Sequence, residues 1–305
     1  MPDPRPDPAD ADAGDGFVPL DDILTLEELG GDVWRGYTPP HTLRPDIFGG
    51  QVASQCLRAA AFTVDDTHAP NSVHCYFLRR GNPQLPLDLR VERIRSGRTY
   101  ATRRVEAVQG AADGGERVIF TMLASFHTPE PGRVFDGPAP VGVPAPDTIA
   151  APGNPYQLAS PVDSRHVVSE DVVVRSWIRV RGELGADPIL QYCALLYVSD
   201  MHAGGAAMRA IGVADGPPPQ GEHGEMLANF GSLDHSVWFH RRPVMADWVF
   251  CEAHPMAVRD SRGLVRGTIH DGQGVHLATL AQEMFLKVLV DDEHLPADFW
   301  IQPPG

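Results

Sequence analysis

Gln282 is the residue that its surroundings explain least. Along residues 275–290 the alternation typical of a strand puts Ala278, Leu280, Gln282, Met284 and Leu286 on one face, so one amide interrupts an apolar stripe. Burying an amide without partners costs on the order of 1–3 kcal/mol. Something must therefore meet it, either a helix end or a ligand or positioned water. A second polar residue stands out in residues 233–241. Alternation there groups Asp234, Ser236, Trp238 and His240 against Leu233, His235, Val237 and Phe239. Asp234 follows Gly231-Ser232 at the start of the strand, where a carboxylate either caps a turn or is aimed into a cleft.

Other residues offer chemistry with less pattern behind it. Gly49-Gly50 reads as a two-glycine turn before a helix, which could present backbone N–H groups to an oxyanion with help from the helix dipole. His235, His240, His254 and His270 show no HxxxH or HExxH spacing, so no metal is expected. No GxSxG elbow, Walker A loop or GxGxxG is present, which removes the usual support for serine hydrolases and nucleotide binders. Cys56, Cys75, Cys193 and Cys251 are widely spaced in apolar runs and read as reduced, buried thiols of a cytoplasmic protein.

These residues need a frame. Residues 1–16 are rich in Pro, Asp and Ala and read as a disordered acidic tail. Residues 20–29 could form a short helix. A run without Pro or Gly, 52–63, predicts a helix, followed by strands at 72–79, 87–96, 99–109 and 118–127. Pro, Gly and Ala then dominate as far as Pro155, a linker by composition. A second helix is predicted over 188–199. Gly- and Pro-rich sequence follows, then strands at 234–241, 248–256, 263–270 and 275–290. Helix followed by antiparallel strands, twice, is an α+β plan. The domains are therefore read as a tail (1–16), an N-terminal unit (17–130), a linker (131–165), a C-terminal unit (166–290) and a second tail (291–305).

A faint repeat supports the duplication. Tyr76-Phe77-Leu78-Arg79-Arg80 recurs 162 residues later as Trp238-Phe239-His240-Arg241-Arg242, and Leu123-Ala124-Ser125 recurs 157 residues later as Leu280-Ala281-Gln282. In this register Ser72 and Ser125 stand where the second copy has Asp234 and Gln282, so a single working site is expected in the second copy. Across the 305 residues, 43% are hydrophobic and the formal charge is −15, which argues against a nucleic-acid partner. No apolar stretch approaches the roughly 20 residues that span a bilayer, and the N-terminus shows no secretory pattern.

Taken together, residues 20–290 resemble the type II acyl-CoA thioesterases, a double hotdog family. The resemblance rests on Phe48-Gly49-Gly50-Gln51, Tyr76-Phe77-Leu78-Arg79, Ser96-Gly97-Arg98, Arg103-Arg104-Val105 and Ala124-Ser125-Phe126. It continues through Leu233-Asp234-His235-Ser236-Val237-Trp238-Phe239-His240-Arg241, Arg262-Gly263-Leu264-Val265-Arg266-Gly267 and Ala281-Gln282-Glu283. It implies two antiparallel sheets joined edge to edge, each wrapped around one long helix. It also implies hydrolysis of fatty acyl-CoA by a water held between an Asp, a Gln and a Thr or Ser, without a cofactor.

By this resemblance the Asp falls on Asp234, as general base, and the Gln on Gln282. The hydroxyl position falls on Met256, beside His254, and a thioether is a poor partner for water. That mismatch leaves open a weakly active or purely acyl-CoA-binding protein. Gly49, Gly50, Gln51 and His254 are the expected substrate contacts, and a helix start near 186–189 the expected carbonyl-polarising donor. Arg79, Arg80, Arg241 and Arg242 are candidate partners for the CoA phosphates, at least two of them being expected to remain solvated. A homodimer or homotetramer is implied by resemblance alone.

Overall fold

Two helices buried against each other organise the chain. The computed structural model describes residues 17–39, 45–111, 114–151, 160–169, 171–213 and 228–288. Helix α2, Gly49–Ala61, and helix α3, Pro188–Ser199, run antiparallel, with Gly50 against Tyr197, Ser54 Oγ donating to the Cys193 carbonyl at 2.8 Å, and Arg58 paired with Asp187. Almost every side chain between Gly50 and Ala60 is buried, as small residues such as Ala53, Cys56, Ala59 and Ala60 allow. Helix α1 is a single turn, Leu20–Ile23, and α4 spans Ala203–Ala210.

Around these helices runs one antiparallel sheet of 13 strands. The first copy supplies β1 Glu27–Gly30, β2 Val33–Gly36, β3 Ala69–Phe77, β4 Leu87–Ser96, β5 Tyr100–Gly110 and β6 Glu116–His127. The second supplies β7 Val162–Val167, β8 Val174–Val180, β9 Ala228–Ser232, β10 Asp234–Phe239, β11 Val249–Arg259, β12 Arg262–Asp271 and β13 His276–Val288. The order is β1-β2-β4-β5-β6-β3-β10-β13-β12-β11-β8-β7, with β9 also paired to β13. The copies join where β3 pairs with β10, Val73 opposite Val237 and Cys75 opposite His235. This is the expected edge-to-edge double hotdog, and the seam removes two strand edges that would otherwise invite aggregation.

Several expected boundaries shift for physical reasons. The expected helix at 52–63 starts at Gly49, with Phe48 extended as its N-cap. Gly49 and Gly50 are not among the glycines with positive φ, so the pair is no turn. Their value is steric, since a methyl group on Gly50 would lie 2.5 Å from the Tyr197 carbonyl oxygen. The segment at 20–29 divides into α1 and β1. Strand β7 begins inside the stretch assigned to the linker, and α4 occupies the start of the Gly/Pro-rich region. The linker also makes contacts, since Trp177 Nε1 donates to the Pro144 carbonyl at 2.9 Å and Arg241 pairs with Asp136 at 2.6 Å. The tails at 1–16 and 291–305 lie outside the described residues.

The close approach of the helices makes a stability prediction. Gly50→Ala should destabilise the protein by about 1–3 kcal/mol through overpacking. Gly110→Ala, where an added methyl group meets nothing within 4 Å, is the matched control. Denaturant midpoints that fall equally for both would contradict this account of the glycine.

Candidate active site

Strands β9 and β10 run along the same side of β13, but not in step. Ser232 pairs with Met284 and Ser236 with Ala281, so four steps on one strand oppose three on the other. The extra residue falls at Leu233 and Asp234, both opposite Glu283. Leu233 N–H donates to the Glu283 carbonyl at 2.9 Å, and the Glu283 N–H donates instead to Asp234 Oδ1 at 2.8 Å. The carboxylate thus takes a backbone carbonyl's role at a β-bulge. Because the bulge resets the alternation, Ser232 and His235 both face the helices, while Asp234 shares the outer face with Ser236 and Trp238.

On the inner face Gln282 is almost wholly buried, at 1% exposure. Its Nε2 donates to Asp200 Oδ1 at 2.6 Å and to Ser232 Oγ at 2.8 Å. Ser232 Oγ lies 3.4 Å from the same Asp200 oxygen. Asp200 is the residue at which α3 ends. Its other oxygen, Oδ2, lies against the first turn of α2, where a methyl group on Gly49 would approach it to 2.7 Å. A carboxylate, a hydroxyl and a carboxamide therefore meet at the start of a helix, whose first N–H groups have no intrahelical acceptor. The group can hold a water, take its proton, and offer N–H donors to an oxyanion.

The structure does not bring the expected triad together. Gln282 stands at the centre, but Asp234 is turned to the opposite side of the sheet, so the two do not converge. Met256 is the bulged residue of β11, exposed at 55%, and β12 runs between its strand and that of Gln282. The hydroxyl that does lie beside Gln282 is that of Ser232. His254 pairs with Arg266 on β12 and lies away from Gln282. Gly49 and Gly50 are beside Asp200. Gln51 turns away, its Nε2 donating to the Tyr37 carbonyl and Thr38 Oγ1. The start of α3 is not at the site either, because Asp187 caps it by accepting from Ile189 N–H at 2.9 Å. Of the four arginines, Arg79 donates to the Val118 carbonyl, Arg80 pairs with Asp46 and Asn229, Arg241 pairs with Asp136, and Arg242 is exposed.

Asp200 and Ser232 were missed in the sequence, although each leaves a trace. Asp200 is the first charged residue after the uncharged run 188–199, and Ser232 is the hydroxyl directly before the extra residue. Two buried histidines line the same region. His235 Nε2 lies 2.7 Å from Ser199 Oγ, and burial drives its pKa down to about 4 although the neighbouring Gln282 side chain pulls it up. Burial, with the neighbouring His166 charge, takes His202 down to about 3. Both rings are neutral at ordinary pH.

The family model for the acyl-CoA thioesterase N-terminal domain matches residues 38–127, and that for the C-terminal domain matches residues 130–286. Acyl-coenzyme A thioesterase 8 of Mus musculus is 31% identical over 92% of this chain and 93% of its own length. Acyl-CoA thioesterase 2 of Haemophilus influenzae is 28% identical over 87% of this chain and 96% of its own length. The crystal structure of an acyl-CoA thioesterase II from Mycobacterium marinum superposes with a TM-score of 0.71 at 32% identity, covering 88% of this chain and 98% of that one.

The buried rings predict how stability follows pH. An unfolded chain protonates both histidines near 6.5, whereas the folded chain resists down to about 4 at His235 and about 3 at His202. Their contribution is therefore complete above about pH 6.5 and is lost as pH falls through that window, on the order of 3–5 kcal/mol for each ring. Urea unfolding at pH 7.5 and pH 5 should show the loss, and His202→Phe should about halve it, His235 keeping its share. A midpoint that is constant between those pH values would refute the assignment.

Proposed function

The chain belongs to the acyl-CoA thioesterase family, and we propose that it hydrolyses fatty acyl-CoA with a water held by Asp200, Ser232 and Gln282. The observation that carries this reading is Gln282 Nε2 bridging Asp200 Oδ1 at 2.6 Å and Ser232 Oγ at 2.8 Å beside the first turn of α2. Asp200 takes a proton from the water as its oxygen attacks the thioester carbonyl carbon. The N–H groups at Gly49 and Gly50 receive the oxyanion. The carbon–sulfur bond then breaks, and the departing CoA thiolate recovers the proton from Asp200. Products are the free acid and CoA, and no covalent enzyme intermediate is needed. Gln282 and Ser232 keep the carboxylate and water in register, which is positioning catalysis.

A binding-only protein was the alternative reading, and its ground was Met256 at the hydroxyl position. A hydroxyl on Ser232 beside Gln282 favours turnover over that reading. Four buried, unpaired cysteines favour work in a reducing compartment such as the cytoplasm. Among the described residues, no helix is long and apolar enough to cross a membrane. Tyr76 and Leu123, exposed on the outer face of the central strands, favour association into a homodimer or homotetramer.

Thiol release from an acyl-CoA series tests the assignment. Asp200→Asn should lower kcat by about 10²–10⁴-fold, as loss of a general base does. Ser232→Ala and Gln282→Ala should each lower it by about tenfold or more. Asp234→Asn, which keeps an oxygen to accept the Glu283 N–H, and Met256→Thr should leave kcat within about twofold. Full activity in Asp200→Asn, or its abolition in Asp234→Asn, would reverse the roles.

A further inference from the structure

Only the nitrogen side of the Gln282 amide is accounted for by Asp200 and Ser232. Its Oε1 is buried and, among the described residues, makes no well-formed hydrogen bond. The same is true of His235 Nδ1. The two belong together. Continuing the register by one residue from the Ser236–Ala281 pair sets His235 across from Gln282 on the inner face, and the Gln282 side chain acts on the ring. His235 is fully buried, and its far nitrogen is anchored on Ser199 at the end of α3.

The proton count selects between two arrangements. Ser199 Oγ lies 2.8 Å from the Leu196 carbonyl as well as 2.7 Å from His235 Nε2, but it has one proton to give. If that proton goes to Leu196, Nε2 must donate, and Nδ1 is left as a lone pair against Gln282 Oε1. Two acceptors would then face each other in a dry interior, which is costly. If Ser199 donates to Nε2, then Nδ1 carries the proton and meets Oε1, and both unpartnered atoms are satisfied by a small adjustment.

We infer that His235 is a positioning residue, donating from Nδ1 to Gln282 Oε1 while accepting from Ser199, and so keeping the amide NH₂ turned toward Asp200 and Ser232. The need is physical. The terminal amide torsion of Gln is broad, and the two ends of the amide are similar in size. A flipped amide would set its oxygen against the Asp200 carboxylate and lose both donors to the water-holding group. The inference rests on the role proposed above for Gln282.

Steady-state kinetics on the full chain with an acyl-CoA substrate tests it. His235→Leu should lower kcat by about tenfold with KM changed less than about twofold, since orientation and not binding is lost. His235→Asn, whose amide N–H can stand near the Nδ1 position, should restore most of the rate. Combined with Gln282→Ala, His235→Leu should cost nothing further. A folded His235→Leu with undiminished kcat, an Asn variant as impaired as the Leu variant, or additive losses in the double variant would overturn the inference. Should His235→Leu not fold, ¹⁵N NMR of the native ring decides, because a proton on Nε2 in place of Nδ1 rules the arrangement out. If Gln282→Ala itself keeps full activity, the water-holding role fails; if Gln282→Ala is impaired and His235→Leu is not, only the positioning role fails.

Discussion

One additional residue in a strand sets the geometry of the proposed site. Without the extra step at Leu233 and Asp234, β9 and β10 would run in register with β13. Ser232 and His235 could not then both face the helices, because neighbours three apart on a regular strand point to opposite sides. With it, the hydroxyl of Ser232 and the ring of His235 flank the Gln282 amide. The bulge is held by Asp234, whose carboxylate accepts the Glu283 N–H that the ladder would otherwise leave unpaired. A charged acceptor for a backbone N–H is among the stronger hydrogen bonds available to a protein. It lets a strand lose its phase without leaving a buried donor unsatisfied.

This also explains which parts of the site were legible. Gln282 was found because an amide on a stripe of Ala278, Leu280, Met284 and Leu286 breaks a period that needs no other information. The grouping of Asp234 with Ser236 and Trp238 was likewise correct as a face. It could not be told from the sequence that this face is the outer one, since Trp238 is as apolar as an inward residue and Asp234 as polar as a catalytic one. Ser232 lies just before the alternating run counted from Leu233, and nothing in that run marks the bulge that turns its hydroxyl inward. Asp200 belongs to neither a helical nor a strand period, and a helix-ending Asp is common enough to pass without notice. Met256 lies on the wrong strand altogether, since it belongs to β11 and the hydroxyl beside Gln282 belongs to β9, on the other side of β13 from β12. The fold was easier, because it depends on many apolar positions and survives an error of one.

The antiparallel helix pair explains why the proposed site occurs once in a duplicated chain. Its two ends are chemically different. At one end α2 begins with Gly49 and Gly50, small enough for the Tyr197 carbonyl and the Asp200 carboxylate to come up against the backbone. At the other end α3 begins at Asp187, which caps its own helix and pairs with Arg58 in the last turn of α2. That start has no donor left for a reacting carbonyl, since Pro188 lacks an N–H, the Ile189 N–H goes to Asp187 Oδ1 and the Leu190 N–H to the Asp187 carbonyl. The strands agree with this polarity, since the inner face of β6 carries only Met122, Ala124 and Phe126 where that of β13 carries the Gln282 amide, and Ser125, which the repeat register aligns with Gln282, lies on the outer face opposite Ser72. The first copy thus contributes the start of α2 and the second contributes Asp200, Ser232 and Gln282. Neither copy alone holds the whole group, so the packing of α2 on α3 is as much a requirement of the chemistry as any polar residue in it.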